Sequence, residues 1–154
     1  MKVEFFNWDV LSKTLPKTSL SKKILTNLLK NYFSEYNISS MSIIFTDQGY
    51  IKDLNSRYRK KDSVTDVLSF TIDTEPLVGE LYICPEFIKK HTESLKYQEE
   101  ILRNIIHGFL HILGYDHKAN FTEETYNKEK MFVKQENILQ NILNEINNRT
   151  GESR

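Results

Sequence analysis

The segment from residue 104 to residue 117, NIIHGFLHILGYDH, constrains the fold most, because it holds three of the chain's four histidines. Apolar residues recur in it at helical spacing, and Gly114 is suited to end a helix in the left-handed conformation. On such a helix His107 and His111 lie one turn apart on one face. A chain that reverses at Gly114 brings His117 back beside them. Three imidazoles leave one position of tetrahedral Zn²⁺ open, as in catalytic zinc sites.

The predicted cofactor is therefore one Zn²⁺ ion per chain, although Ni²⁺ or another divalent ion would suit the same imidazoles. The histidine spacing matches the zinc-protease motif H-E-x-x-H-x-x-G-x-x-H, whose glutamate is the general base for peptide hydrolysis. Gly108 stands in the place of that glutamate. The sequence thus predicts a reactive metal site and disfavours a zinc peptidase.

A second informative stretch carries four cations in five positions, Arg57, Arg59, Lys60 and Lys61. Such a cluster can hold phosphates, to which arginine offers forked hydrogen bonds. It is equally consistent with a solvated helix end, where basic residues complement the helix dipole. Asp66 follows at the start of a predicted strand, where its carboxylate could orient a histidine or a water molecule, or form a local turn. Both pairs of alternatives stay open at the level of sequence.

Composition limits the classes of protein that fit. Lysine and arginine together number 21, as do aspartate and glutamate, so any RNA binding must come from a local patch rather than a global basic field. Cys84 is the single cysteine and is expected to be a small buried residue. Neither a signal-peptide pattern nor a membrane-crossing apolar run is apparent, so we expect a cytoplasmic protein. Without an association signal, we expect a monomer.

Periodicity and turn residues indicate an α+β fold. The predicted order is strand 2–8, helix 24–33, strand 40–45, helix 47–57, strands 67–72 and 78–84, helix 85–97, the histidine helix, and a final helix 123–147. Gly79, inside its strand, suggests a bulge or a close backbone approach. We expect a small mixed sheet of about four strands, covered by helices, with the metal-binding helix at the centre.

The rest of the chain is assigned packing or surface roles. The 154 residues fit one domain, with residues 149–154 expected to form a frayed tail. His91 is expected to be exposed on its helix. The final helix is expected to pack through one apolar face, made of Phe132, Leu139, Ile142, Leu143 and Ile146.

Two separated stretches agree on a family. Residues 107–117, HGFLHILGYDH, resemble the H-G-x-L-H-L-x-G-Y-D-H motif of the YbeY endoribonucleases, which are bacterial rRNA maturation factors. Residues 54–70 resemble the same family's L-N-x-x-Y-R-x-x-D-x-P-T-D-V-L-S-F block, and residues 79–81 resemble its glycine-acidic strand. The chain departs from these patterns at Ile112, where the family has leucine, and at Val64, where it usually has proline.

The resemblance implies a metal-dependent endoribonuclease that prefers single-stranded RNA. Its role would lie in maturation of the 16S rRNA 3′ end and in ribosome quality control, with the small ribosomal subunit as partner and neither DNA nor a membrane expected. His107, His111 and His117 would hold the metal, and Arg59 matches the family's functional arginine. On this basis His111 and Arg59 are the expected catalytic residues.

A zinc site beside cations suits a phosphodiester, because the ion can polarise a phosphoryl oxygen while Arg59, with its basic neighbours, binds substrate phosphates. Tyr58 and Tyr115 are candidates to stack an unpaired base. The general base is left open among a metal-bound hydroxide, Asp116 and Asp66, and the two aspartates could instead support the ligands. Water and the RNA 2′-hydroxyl are alternative nucleophiles. The rival hypothesis is a non-enzymatic ribosome-assembly protein with a structural metal.

Overall fold

The computed structural model describes residues 1–15, 20–115 and 121–151, without the side chains of residues 121–128 and 149–151. The strands in these ranges are β1 (Lys2–Phe6), β2 (Ile38–Phe45), β3 (Val67–Thr74) and β4 (Leu77–Ile83). The helices are α1 (Trp8–Ser12), α2 (Lys22–Phe33), α3 (Gln48–Arg59), α4 (Pro85–Lys90), α5 (Tyr97–Ile112) and α6 (Phe121–Gly151), with a 3₁₀ turn at Ser94–Lys96.

The strands form one mixed sheet in the order β1-β2-β4-β3. Strands β1, β2 and β4 run parallel, and β3 pairs antiparallel with β4. The branched and aromatic residues of β2 alternate between more and less buried positions, as expected for a strand with one face on a core. The α+β fold and the mixed four-stranded sheet predicted from the sequence are confirmed.

The two faces of the sheet carry separate cores. On one face, Met41, Ile43 and Phe45 of β2 lie in register with residues of β4, and α2, α5 and α6 pack against them. On the other face, α3 closes a smaller core. This second core consists of Ile51, Leu54, Leu68 and Cys84. Cys84 is fully buried, as expected.

Helix α5 contacts α6, β3, β4 and α4, and it approaches β4 through two glycines. A methyl group on Gly108 would lie 2.6 Å from Leu81 Cδ2, and one on Gly79 would lie 2.9 Å from Ile112 Cγ1. Such distances are too short for packed carbons, so helix and strand can come this close only without side chains there. Of the two alternatives predicted at Gly79, the close approach is confirmed, and the register of β3 on β4 also shifts beside it, between Thr71 and Asp73. Gly114 adopts a φ of +92° just after α5, as its predicted role as a helix stop requires.

The first strand is shorter than predicted from the sequence, which extended it to Trp8. The backbone of Asn7 turns into the left-handed region with a φ of 58°, and Trp8 then begins α1. Asparagine tolerates this conformation, and its side-chain amide donates to the carbonyl of Phe45 at 3.2 Å. The Trp8 ring packs edge-on against the rings of Phe5 and Phe45.

The predicted helix 85–97 is also wrong, because the chain forms two helices there. Helix α4 ends at Lys90 and α5 begins at Tyr97. The Tyr97 side chain is buried, and its hydroxyl lies 2.6 Å from Thr14 Oγ1 and donates to the Pro85 carbonyl at 3.3 Å. This anchor directs the chain back over α4 and ends the straight helix. His91 is exposed in the intervening turn, as expected.

Helix α6 is longer than the predicted 123–147, and its packing face differs. The backbone is helical to Gly151, so the helix reaches into the predicted tail, while residues 152–154 lie outside the described residues. Phe132 is 61% exposed, because the inner face follows Met131 at spacings of three and four residues and Phe132 is rotated ~100° from it. The buried face is Met131, Ile138, Leu139, Ile142 and Ile146. No helix in the described ranges is both long and apolar enough to cross a membrane.

Candidate metal centre

Helix α5 brings two of the predicted ligands together. The Nε2 atoms of His107 and His111 lie 2.7 Å apart, and the rings meet nearly at right angles, with an interplanar angle of 77°. Both imidazoles are partly buried rather than enclosed. At this distance the two nitrogens are within hydrogen-bonding range of each other. Imidazole nitrogens are ligands that Zn²⁺ accepts, and these two project from one helix face, so the donor types fit Zn²⁺.

The tautomer of His107 is determined by a residue of α6. Nδ1 of His107 lies 2.7 Å from Oε1 of Gln135. The amide nitrogen of Gln135 donates to Oε2 of Glu136 at 3.1 Å, so its oxygen must face the histidine. Neutral His107 therefore carries its proton on Nδ1 and a lone pair on Nε2, which is the arrangement that metal-binding histidines have when their other nitrogen is held.

A charged pair fixes this part of α6 to α5. Nε and Nη2 of Arg103 donate to the two carboxylate oxygens of Glu136 at 2.9 and 3.0 Å, a forked arrangement. The hydrogen bond from Arg103 lowers the pKa of Glu136, and the same bond raises the pKa of Arg103. Arg103 also pairs with Glu99 and Glu100 on its own helix. Because Arg103 fixes the Glu136 carboxylate, that carboxylate can in turn hold the side-chain amide of Gln135.

Beside His107 lies an open cleft of about 190 Å³. It is lined by Asp66, Val67, Glu100, Arg103, Asn104, His107 and Gln135. Oδ1 of Asp66 accepts from the amide of Val67 at 2.8 Å and from the hydroxyl of Thr65 at 3.2 Å. These hydrogen bonds are those of a local turn, one of the two alternatives predicted for Asp66. The residue also lines the same cleft as His107.

The remaining predicted ligand is His117, which lies outside the described residues together with Asp116, so both assignments stay predictions. Among the described residues, no group of three or more His, Cys, Asp and Glu side chains is arranged to hold a metal. The histidine pair is thus the part of the proposed centre that can be located.

The basic cluster lies at the end of α3, apart from the cleft lining. Arg57, Arg59, Lys60 and Lys61 are all exposed, and Arg57 pairs with Asp53 at 2.8 Å. None of the four lines the cleft, as far as the described residues show. The loop that follows the cluster leads to the cleft at residue 66.

The polar residues that surround His107 were not predicted as part of the site from the sequence. Glu99, Glu100 and Arg103 were visible as a charged face at helical spacing. Gln135 and Glu136 gave no local signal, because their role arises from contact between α5 and α6.

The position after the first histidine has a structural role. Gly108 faces Leu81 of β4, so a side chain there would point into the sheet and away from His107 and the cleft. The general base of zinc proteases has no room at this position.

Comparison with known proteins gives consistent matches. The family model described as endoribonuclease YbeY matches residues 7–143. Endoribonuclease YbeY of Persephonella marina is 38% identical over 146 residues, which cover 88% of this chain and 93% of that protein. Endoribonuclease YbeY of Thermotoga maritima is 30% identical over 133 residues, covering 85% and 84%. The solution structure of TM1509 from Thermotoga maritima is 26% identical, with a TM-score of 0.63 and coverage of 97% of this chain and 95% of that one.

The fold and the histidine pair define a small α+β protein with a candidate metal centre on its central helix. The chain belongs to the YbeY endoribonuclease family. The resemblance seen in its motifs is thereby confirmed, and the matched region includes the third histidine, His117.

Proposed function

We propose that this protein cleaves single-stranded RNA with one bound metal ion, Zn²⁺ by preference and Ni²⁺ as the alternative. The observation that carries the proposal is the convergence of His107 and His111 beside an open cleft, with Gln135 holding the first in the required tautomer. His117 is the proposed third ligand. Membership of an endoribonuclease family supplies the substrate class.

The protein's own groups are assigned roles around the phosphodiester. When bound, the ion supplies Lewis acidity toward a phosphoryl oxygen. By the family resemblance, Arg59, which lies outside the described cleft lining, is assigned to neutralise charge that develops on the phosphate. Asp66, whose carboxylate faces the cleft, is our candidate to accept a proton from water or from the 2′-hydroxyl. Asp116, which precedes His117 in the sequence, is the alternative base.

The size of the cleft supports a single strand as substrate. At about 190 Å³ it is smaller than the ~300–1,000 Å³ typical of pockets for drug-sized ligands. A flexible strand can bend one phosphodiester into such a space, whereas a duplex cannot. By the family resemblance we propose 16S rRNA 3′-end maturation and ribosome quality control in the cytoplasm, on the small ribosomal subunit.

The second candidate is a ribosome-assembly protein whose metal is structural. It is favoured by the bond from His107 to Gln135, because an ion held there would also strengthen the contact between α5 and α6. This candidate predicts that loss of a ligand unfolds the domain, since structural zinc contributes directly to folding free energy.

The test compares wild type with His111→Ala, and His91→Ala is the matched control because His91 is exposed and distant in sequence from the site. Each protein is assayed for cleavage of a single-stranded 16S rRNA 3′-end fragment and of its duplex form, and for folding by circular dichroism. We expect wild type and His91→Ala to cut the single strand, and His111→Ala to fold but cut neither. Unfolding of His111→Ala would favour the structural metal. Cleavage by folded His111→Ala at the wild-type rate would refute the proposed metal chemistry.

A further inference from the structure

Four aromatic rings form a continuous series on the face of the sheet opposite α5. The ring centroids of Tyr50 and Tyr82 are 6.1 Å apart, those of Tyr82 and Phe70 are 5.7 Å apart, and those of Phe70 and Tyr58 are 5.4 Å apart. Tyr50 and Tyr58 come from α3, Phe70 from β3 and Tyr82 from β4. We call these four residues the aromatic row.

Two of the four rings, those of Tyr50 and Tyr58, do not belong to the second core. Tyr58 is 62% exposed and Tyr50 is 46% exposed, while Phe70 and Tyr82 are partly buried over the small core. Isolated exposed apolar residues are common on protein surfaces, but here the exposed rings belong to one continuous series that spans three elements. Exposed ring faces held in such a series are suited to stack unpaired bases, and stacking accepts any base because each has a π-face.

Cations lie at one end of the row. The guanidinium carbon of Arg57 is 5.6 Å from the centroid of the Tyr58 ring. Arg59, Lys60 and Lys61 follow, all exposed, and within the described residues none of these three forms an ion pair. The surface thus combines ring faces for bases with charges for phosphates, which is the chemistry of single-stranded nucleic acid.

The neighbouring acids offset part of this charge, and the exposed Asp62 directly follows Lys61. Asp53 is paired with Arg57 at 2.8 Å. Glu80 accepts a hydrogen bond from the Tyr82 hydroxyl at 3.1 Å and lies opposite Phe70 in the strand register. Lys60 ends α3 with a φ of 57°, and Asn55 holds the following turn by donating to the Ser63 carbonyl at 3.0 Å. These contacts fix the backbone conformation of the turn that carries Lys60 and Lys61.

We propose that the aromatic row and the adjacent cations bind single-stranded RNA outside the cleft, with bases stacked on Tyr58 and Tyr50 and phosphates on Arg57, Lys60 and Lys61. The choice of RNA rests on the proposed function. The loop from Lys60 to Asp66 joins this surface to the cleft, so a strand bound on the row passes the start of β3 to reach His107. The surface selects single strands because a duplex hides its base faces.

The test measures RNA binding without cleavage. The full chain in EDTA, shown by circular dichroism to remain folded, is titrated into a fluorescein-labelled oligouridylate of about ten nucleotides, within the ~4–16 that one OB fold covers. Fluorescence anisotropy gives Kd, and a gel confirms that the probe is intact. The variants are Tyr58→Ala, Tyr58→Phe and Tyr50→Ala, and the control is Phe6→Ala, because Phe6 is 44% exposed on β1 at the opposite edge of the sheet.

We expect Tyr58→Ala and Tyr50→Ala each to raise Kd by about fivefold or more, as removal of one base–aromatic stack does. Tyr58→Phe and Phe6→Ala should bind like wild type. If Tyr58→Ala does not fold, Tyr58→Leu removes the π-face while keeping apolar volume, and it should weaken binding equally. The proposal is overturned if the Kd stays at the wild-type value both in Tyr50→Ala and in Tyr58→Ala or Tyr58→Leu. Equally tight binding of the same probe annealed to its complement also overturns it.

The cations are tested by salt dependence. Lys60→Gln should reduce the slope of log Kd against log salt by ~0.7 for each phosphate that the variant no longer neutralises. Lys22→Gln, an exposed lysine on α2, should leave the slope unchanged. An unchanged slope for Lys60→Gln would show that Lys60 binds no phosphate of the RNA. Because no arm depends on cleavage, a chain that binds through the row but cuts no RNA would refute the proposed function and leave this inference standing. A chain that cuts RNA while both tyrosine truncations bind normally would do the reverse.

Discussion

Replacing Gln135 with alanine should weaken metal binding without touching a metal ligand. Gln135 is only 7% exposed, and its oxygen accepts the Nδ1 proton of His107 at 2.7 Å. Without it, Nδ1–H has no partner inside the α5–α6 contact, and the proton can move to Nε2, where it blocks the ion. Removal of such a supporting bond typically costs 10–100-fold in metal affinity, or ~1.4–2.7 kcal/mol.

The assay is a competition titration of zinc between the protein and a chromophoric chelator at constant pH. Gln140→Ala is the matched control, because Gln140 is an exposed glutamine on the same helix that bonds only to Asn144 among the described residues. Nitrogen NMR of the histidines adds a second measurement, in which the metal-free variant should show His107 losing its Nδ1–H form. Zinc affinity within twofold of wild type, with an unchanged tautomer, would refute the role given to Gln135.

Three further predictions concern the contact of α5 with β4, the Arg103–Glu136 pair and Arg59. Gly108→Ala should destabilise the fold by about 1–3 kcal/mol in urea denaturation, because its methyl would meet Leu81. Gly49→Ala, whose methyl would have its nearest contact at 3.6 Å, should be neutral or stabilising. Equal losses of stability in the two variants would contradict this. Because Arg103 lowers the pKa of Glu136 below its ordinary value of 4.5, that pair stabilises the fold above pH 4.5, and wild type should lose more stability than Glu136→Gln as pH falls below it. Parallel stability curves for the two proteins would count against the pair. Arg59→Gln should slow RNA cleavage at least ~10-fold with zinc content unchanged, and an unaffected rate would exclude Arg59 from the chemistry.

Local pattern was sufficient for much of the fold. Helical periodicity located α5 and glycine located its end, because both depend on neighbours within one turn. The irregularity at Gly79 was also predictable, since an isolated glycine in a strand usually marks a bulge or a close backbone approach. The mixed sheet followed from the element order, confirmed here by parallel β1, β2 and β4 with antiparallel β3.

The errors came where distant contacts override local pattern. The first strand ends early because Asn7 bonds to Phe45, and the predicted helix 85–97 breaks because the Tyr97 hydroxyl is held by Thr14 and Pro85. Gln135 belongs to the site only because α6 packs on α5. The same holds for the aromatic row, in which Tyr58 alone was a candidate for stacking. None of these pairings leaves a periodic trace in the sequence.

The most direct test of the account is the ligand set of the bound metal. Zinc K-edge X-ray absorption on the protein loaded with one equivalent of Zn²⁺ reports both ligand type and distance. We expect three imidazole nitrogens at ~2.0–2.1 Å, falling to two in His117→Ala and in His107→Ala. Zinc surrounded by oxygen ligands, or an imidazole count that neither substitution changes, would contradict a metal centre built on His107, His111 and His117.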